Sequence, residues 1–158
     1  MNKLLFSFLF LLNILIITLV IKDEFKTKKQ TLHCLSDITL LFPQQKANIT
    51  LDINAMPSKN KGVMSIQGNY LSGDDKKNIR RDIYFTWEKN DSVIIFNSSH
   101  INITKSIDNI KDVEIEYILP VFFAREGHKM RLTVKKQINN GYMFSVGSRP
   151  VFFCSSIL

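Results

Sequence analysis

Apolar and polar residues alternate with period two through most of this chain, and that pattern limits its fold more than any other feature. Ile49, Leu51 and Ile53 alternate with Thr50 and Asp52. Ile83, Phe85 and Trp87 share one face of a later run, and Met130, Leu132 and Val134 repeat the pattern further on. Strand side chains point to opposite faces in turn, so each run has one face to bury and one to leave wet. Antiparallel sheets meet that demand. Turn signals break the runs: Pro57, the polar stretch 72–77, residues 89–91, and Asn139-Asn140-Gly141. Asn-Gly supplies positive φ readily and predicts a hairpin between 129–138 and 142–146. Residues 80–88 and 92–96 predict a second hairpin, Ile101 and Ile103 start another strand, and 113–119 alternates as a strand before Pro120. Gly68 is a candidate bulge or barrel bend, and residues 106–111 a single helical turn capped by Ser106. In all, eight or nine short strands and no long helix predict a mainly β antiparallel barrel or sandwich.

The first 21 residues do not follow this pattern. They hold 16 apolar side chains, and residues 4–21 carry no charge. Eighteen residues at about 1.5 Å each span roughly 27 Å, close to the hydrocarbon thickness of a bilayer. Lys22-Asp23-Glu24 follows with no small-residue cleavage site, which favours an uncleaved anchor over a signal peptide. The expected organisation is a transmembrane helix at 1–21, a lysine-rich tether at 22–30 and a periplasmic β domain at 31–158. Flanking charge alone favours a cytoplasmic domain, but long C-terminal domains translocate largely regardless of it.

The two cysteines argue for the outside. Cys34 and Cys154 lie in strand-like stretches near the two ends of the domain. A bond between them would close a loop of about 120 residues, worth up to roughly 4–5 kcal/mol in the chain-entropy model. It would also mark an oxidising compartment. Two buried free thiols are the second reading. His33 is poorly placed to activate Cys34, because strand neighbours face opposite ways. Two Cys and three His at no recognised spacing do not suggest zinc.

No residues are nominated as catalytic or metal-ligating, and no cofactor is expected. His33, His100 and His128 are isolated, with pH sensing as their functional reading. The net charge of +7 first suggests nucleic acid. However, the basic pairs Lys76-Lys77, Arg80-Arg81 and Lys135-Lys136 split across strand faces, which favours a solvated surface. The doublets Phe122-Phe123 and Phe152-Phe153 would place one ring on each face of a strand. With Trp87, they are the candidate contacts for a partner or ligand.

These features together resemble a family. A cysteine stands in the first strand, and Gly73 precedes Arg80-Arg81-Asp82-Ile83-Tyr84-Phe85-Thr86-Trp87. The chain closes with Asn140-Gly141-Tyr142-Met143-Phe144, then Arg149-Pro150-Val151-Phe152-Phe153-Cys154. Over nearly its whole length the chain resembles the FidL-like membrane proteins, particularly the MyfF- and PsaF-type accessory regulators of fimbrial genes. The resemblance implies a bacterial inner-membrane protein beside a one-pass, ToxR-like winged-helix transcription activator of the MyfE or PsaE type. The two periplasmic domains would pair, stabilising and gating the activator, with any DNA bound by the partner. It also implies a lipocalin-like barrel, shared between subunits and able to hold an apolar ligand. A stand-alone domain that binds such a ligand is the alternative function, and an enzyme is not expected.

Overall fold

The structure, a computed structural model, describes residues 12–14, 32–138 and 141–157. The expected anchor (apart from residues 12–14, which are helical), the tether, and Asn139 and Asn140 lie outside the described residues. Among the described residues no helix is long and apolar enough to cross a membrane.

Among the described residues, eight antiparallel strands form a ring in sequence order. They are β1 (Leu32–Phe42), β2 (Gln45–Met56), β3 (Lys61–Ser72), β4 (Asp75–Asn90), β5 (Val93–Ile103), β6 (Lys129–Lys136), β7 (Gly141–Val146) and β8 (Arg149–Ser156). Tight turns join most neighbours, with Asn60, Gly73, Asp91 and Gly147 at positive φ, a conformation these residue types tolerate. The alternation sets the inside: Ile49, Leu51 and Ile53 of β2, Met64 and Ile66 of β3, and Ile79, Ile83 and Phe85 of β4 are almost wholly inaccessible. Rings from several elements meet in that interior. Phe85 lies 5.3 Å from Phe96 and 6.4 Å from Phe122, and Phe122 lies 5.1 Å from Phe123. Each such ring stabilises the barrel by about 1.5–3 kcal/mol through burial.

The barrel is uneven in height. Strands β1 to β5 have 11 to 16 residues, whereas β6 to β8 have six to eight. Only the first part of β5, Val93 to Asn97, pairs with β6. Residues 104–128 cover the missing wall. They contain α1 (Asp112–Ile118) and a 3-10 turn (Val121–Phe123), and they bury Ile110, Ile115, Ile118, Phe122 and Phe123.

Several sequence expectations change here. Residues 113–119 are not a strand, because α1 occupies Asp112–Ile118. The run Val113-Glu-Ile-Glu-Tyr-Ile fits period two, but Ile115 and Ile118 also fit the i, i+3 face of a helix, and that is the pair buried. Asp112 and Glu114 suit a helix's first turn, and Leu119 before Pro120 ends it. No helix forms at residues 106–111. Ile101 and Ile103 continue β5 rather than starting a strand. Gly68 is no bulge: it pairs in register on both sides, and a Cβ there would collide with the Asn48 carbonyl. The register shifts fall instead at Tyr84/Phe85 and Phe144/Ser145.

Candidate functional site

The ring closes between β1 and β8, and that closure is short. Among the described residues only Cys34↔Ser156 and Leu35↔Ser155 pair there, with the Ile157 N–H donating to the His33 carbonyl at 3.0 Å. Cys34 and Cys154 are disulfide-bonded, 5.4 Å apart at Cα and fully buried, as the sequence reading favoured. The bond ties the two strands together at this closed end.

Past Leu35 the two strands separate. Residues 36–42 of β1 have β2 on one side and, among the described residues, no strand pairing on the other. A strand residue's N–H and C=O point to the same neighbour, and the direction alternates along the strand. Because the His33 carbonyl faces β8, the backbone groups of Asp37, Thr39 and Leu41 face the gap. Across it run Val151, Phe152 and Phe153 of β8, and the cleft between the strands holds about 590 Å³. Leu35, Leu41 and Val151 are exposed apolar side chains, Leu41 at 73%.

Behind the gap lies a cavity of about 180 Å³. Its walls include Ile38, Leu40 and Leu51 of the barrel, Phe123 of the covering segment and Phe152 of β8. Among the described residues, every lining residue is apolar except Arg131.

A buried ion pair holds the covering segment in place. Arg81 is 1% exposed. Its Nε donates to Asp108 Oδ2 at 3.0 Å and its Nη1 to Asp112 Oδ1 at 2.6 Å. Nη2 donates to Asp108 Oδ1 at 3.3 Å and to the Ile110 carbonyl at 3.2 Å. The Arg80 N–H also donates to Asp108, at 2.9 Å. Burial works against the Arg81 charge, but the bonds to the two carboxylates outweigh it and raise its pKa above the usual value. Nearer solvent, Lys77 Nζ donates to Glu114 Oε1 at 2.6 Å; that bond is the main reason the Glu114 carboxyl is held below its ordinary value.

Sequence reasoning placed Arg81 on a solvated surface. The signal for the inside was present: Arg81 stands two residues from both Ile79 and Ile83, on their face of β4. Only Arg80 of that pair faces outward.

The other candidates are scattered. Phe122 and Phe123 lie on a 3-10 turn, not a strand, and both are buried in the core, 1% and 4% exposed, so neither ring faces outward. Phe152 faces inward and stacks on Phe144 at 4.5 Å. Phe153, half-buried, packs where Gly141 has no side chain; a Cβ there would run into its ring. Trp87 is half-buried against the core, with its indole N–H enclosed and unbonded among the described residues. His33 Nε2 lies 3.1 Å from Asp52, and His100 Nδ1 lies 2.8 Å from Glu126. The His128 backbone N–H donates to Ser98 Oγ at 3.1 Å. The rings of His33 and His100 therefore each have a separate carboxylate beside them, and His128 is held through its backbone.

A family model described as the YqeJ C-terminal domain matches residues 31–154, nearly the whole barrel. "Uncharacterized protein YqeJ" of Escherichia coli (strain K12) is 24% identical over 123 residues, which cover 77% of this chain and 77% of that protein. The match carries this description rather than that of the FidL-like proteins. No solved structure matches the chain.

Proposed function

The chain belongs to the YqeJ C-terminal domain family, and we propose that its barrel is a strand acceptor for a membrane-bound partner. The partner is a one-pass, ToxR-like winged-helix activator, and the site it uses is the free edge of β1. In this reading the chain is a non-enzymatic accessory regulator of the FidL-like kind. It is anchored in the inner membrane by residues 1–21, with the barrel on the periplasmic side. It stabilises the activator and gates its response, and fimbrial or virulence genes are the expected targets.

The observation that carries the reading is the free edge itself. A seven-residue edge, Ser-Asp-Ile-Thr-Leu-Leu-Phe, has one charge, no lysine and no proline. Soluble proteins blunt such edges, because they template pairing with another chain. Its length matches an ordinary strand. Strand addition takes affinity from backbone bonds and specificity from side-chain pockets at alternate positions. The edge supplies the backbone groups, and the cleft, with Leu35 and Val151 at its sides, the apolar contacts. The disulfide supports an oxidising compartment.

The test is Thr39→Pro. The Thr39 N–H faces the gap, so proline there removes a donor for the partner while leaving the β1–β2 ladder its bonds. With the full chain crosslinked in native membranes, the unaltered protein is expected to recover a DNA-binding membrane protein. Thr39→Pro is expected to lose that protein while the Cys34–Cys154 bond still forms. Recovery of no such protein, or equal recovery by the variant, would refute the reading.

A further inference from the structure

We infer that the end of the barrel where the chain enters docks on an anionic phospholipid surface, through lysines in its turns and an isoleucine at a hairpin tip. The inference rests on the membrane anchor in the reading above and not on the partner.

Up-and-down order puts every second connection at the same end of a ring. The β2–β3 turn, the β4–β5 turn and the β6–β7 loop therefore lie at the end where β1 starts and β8 stops. These connections carry Lys59, Lys61, Lys89, Lys135 and Lys136, all exposed. Among the described residues none of the five ammonium groups has a hydrogen bond or an ion pair. Asp91 is the single acid in these connections, with Glu88 just above it on β4. The other end and the covering segment differ: Lys77, Arg81 and Arg125 are each paired with carboxylates there. The unpaired cations are thus gathered at one end, where an external anion can meet them. Phosphate headgroups suit ammonium groups, which act as point charges and need no fixed bonding geometry.

Ile138 is an independent observation. It stands just past Lys136 in the β6–β7 loop and is wholly exposed. Met56 and Ile157, at the same end, are exposed apolar side chains too. Scattered singly, such residues need no explanation. Three of them among lysines match the layering of a bilayer surface, with ammonium groups at the phosphates and apolar side chains at the acyl boundary beneath.

The chain that precedes the barrel selects the surface. β1 begins at Leu32, eleven residues after Ile21, where the uncharged run ends. Eleven residues reach at most about 40 Å. The barrel's opposite end lies about 30 Å further on, for twelve-residue strands at about 3.3 Å per residue and an ordinary tilt. The lysine-rich end is therefore the one an anchor keeps near the headgroups. Lys22, Lys26, Lys28 and Lys29 of the tether add basic charge beside it. Docked in this way, β1 rises from the lipid, and its free edge at residues 36–42 stands clear of the headgroups.

The experiment is hydrogen–deuterium exchange of the full chain in lipid nanodiscs, one set of phosphatidylcholine and one of phosphatidylcholine with phosphatidylglycerol. Amides at 58–61, 89–92 and 135–138 should exchange severalfold more slowly in the anionic discs, while the far turns at 44–45 and 73–75 should not change. Added salt should remove the difference. Lys89→Gln/Lys135→Gln/Lys136→Gln should lower the ratio of docked to undocked chain about a hundredfold, at about fivefold per lysine, with the Cys34–Cys154 bond intact. Ile138→Ser should also weaken the protection. A chain that inserts in both discs and exchanges alike in them overturns the inference and leaves the anchor standing, as does a triple variant protected like the unaltered chain. A chain that enters neither disc overturns both. Protection in native membranes but in neither disc would assign this end to an acidic protein and likewise overturn the inference.

Discussion

Replacing Arg81 by methionine tests how the open side of the barrel is held. The guanidinium makes four bonds, three of them to carboxylate oxygens, and is 1% exposed. Arg81→Met keeps the apolar stem and strands Asp108, whose side chain is 2% exposed. Breaking a buried pair from one side costs about 3–5 kcal/mol, because the remaining charge is uncompensated. Two features put this case at the low end. Asp108 keeps the Arg80 N–H, and Asp112, about half exposed, can rehydrate. The expected loss is therefore about 3 kcal/mol, a large share of the 5–15 kcal/mol typical of a domain. With a urea slope of about 1.5–2 kcal/mol/M, the midpoint should fall by about 1.5–2 M. Trp87, half-buried against the core, gives a fluorescence signal for the transition. The double variant Arg81→Met/Asp108→Leu removes both charges and should recover most of the loss, since apolar replacement of a buried pair is often neutral. A single-variant loss under about 1 kcal/mol, or a double variant that loses the sum of the two singles, would refute the reasoning.

Acid should weaken the same segment. Bonds from the Ile101 N–H and from His100 hold the Glu126 carboxyl below its ordinary value, and the Lys77 bond does the same for Glu114. A carboxylate depressed in the folded state stabilises it above the unfolded pKa, about 4.3, and that contribution is lost as pH falls through the lower folded value. Stability should therefore drop below about pH 4, and Glu114→Gln should flatten the drop; an unchanged profile in that variant would exclude the pair as its source. Reduction of Cys34–Cys154 should cost about 2–4 kcal/mol, less than the entropy model's limit for 120 residues. Alkylation should label both thiols only after reduction, and labelling of the unreduced chain would contradict the bond.

Strand identity was readable wherever one period fitted and another did not. In β2, β4 and β6 the apolar positions are two apart over long stretches, and only an extended chain buries them together. At residues 112–118 both periods fitted, and tertiary demand decided between them: the short β6 to β8 leave a gap that a packed helix fills. The aromatic doublet at Phe122 was misread for the same reason, since a 3-10 turn can send two successive rings into one core. The disulfide was legible because the two cysteines sit at the domain's ends, and an up-and-down ring brings its ends together. The open seam was not, because pairing between β1 and β8 depends on where each strand stops and on how the ring curves. Arg81 was legible in principle and was hidden by the habit of assigning arginine to the surface.

The short strands, the covering segment, the seam and the cavity are linked by geometry. Strands β1 to β5 are long and β6 to β8 short, and β5 pairs with β6, and β1 with β8, only at one end of the ring. Above that level two strands lose their neighbours, β5 on one side and β1 on the other. The β5 side is satisfied internally. Ser98 bonds the backbone around Arg125 and His128, and the segment beyond Thr104 packs down through Arg81. Residues 36–42 of β1 receive no such cover, although the tall wall continues behind them. The cavity lies there between the interior side chains of β1 to β3 and those of β8, Val151 and Phe152, where β8 diverges from β1. The divergence of β8 from β1 past Leu35 therefore leaves both the free edge and the apolar space behind it. Ile38→Trp should fill the cavity and leave the backbone edge free.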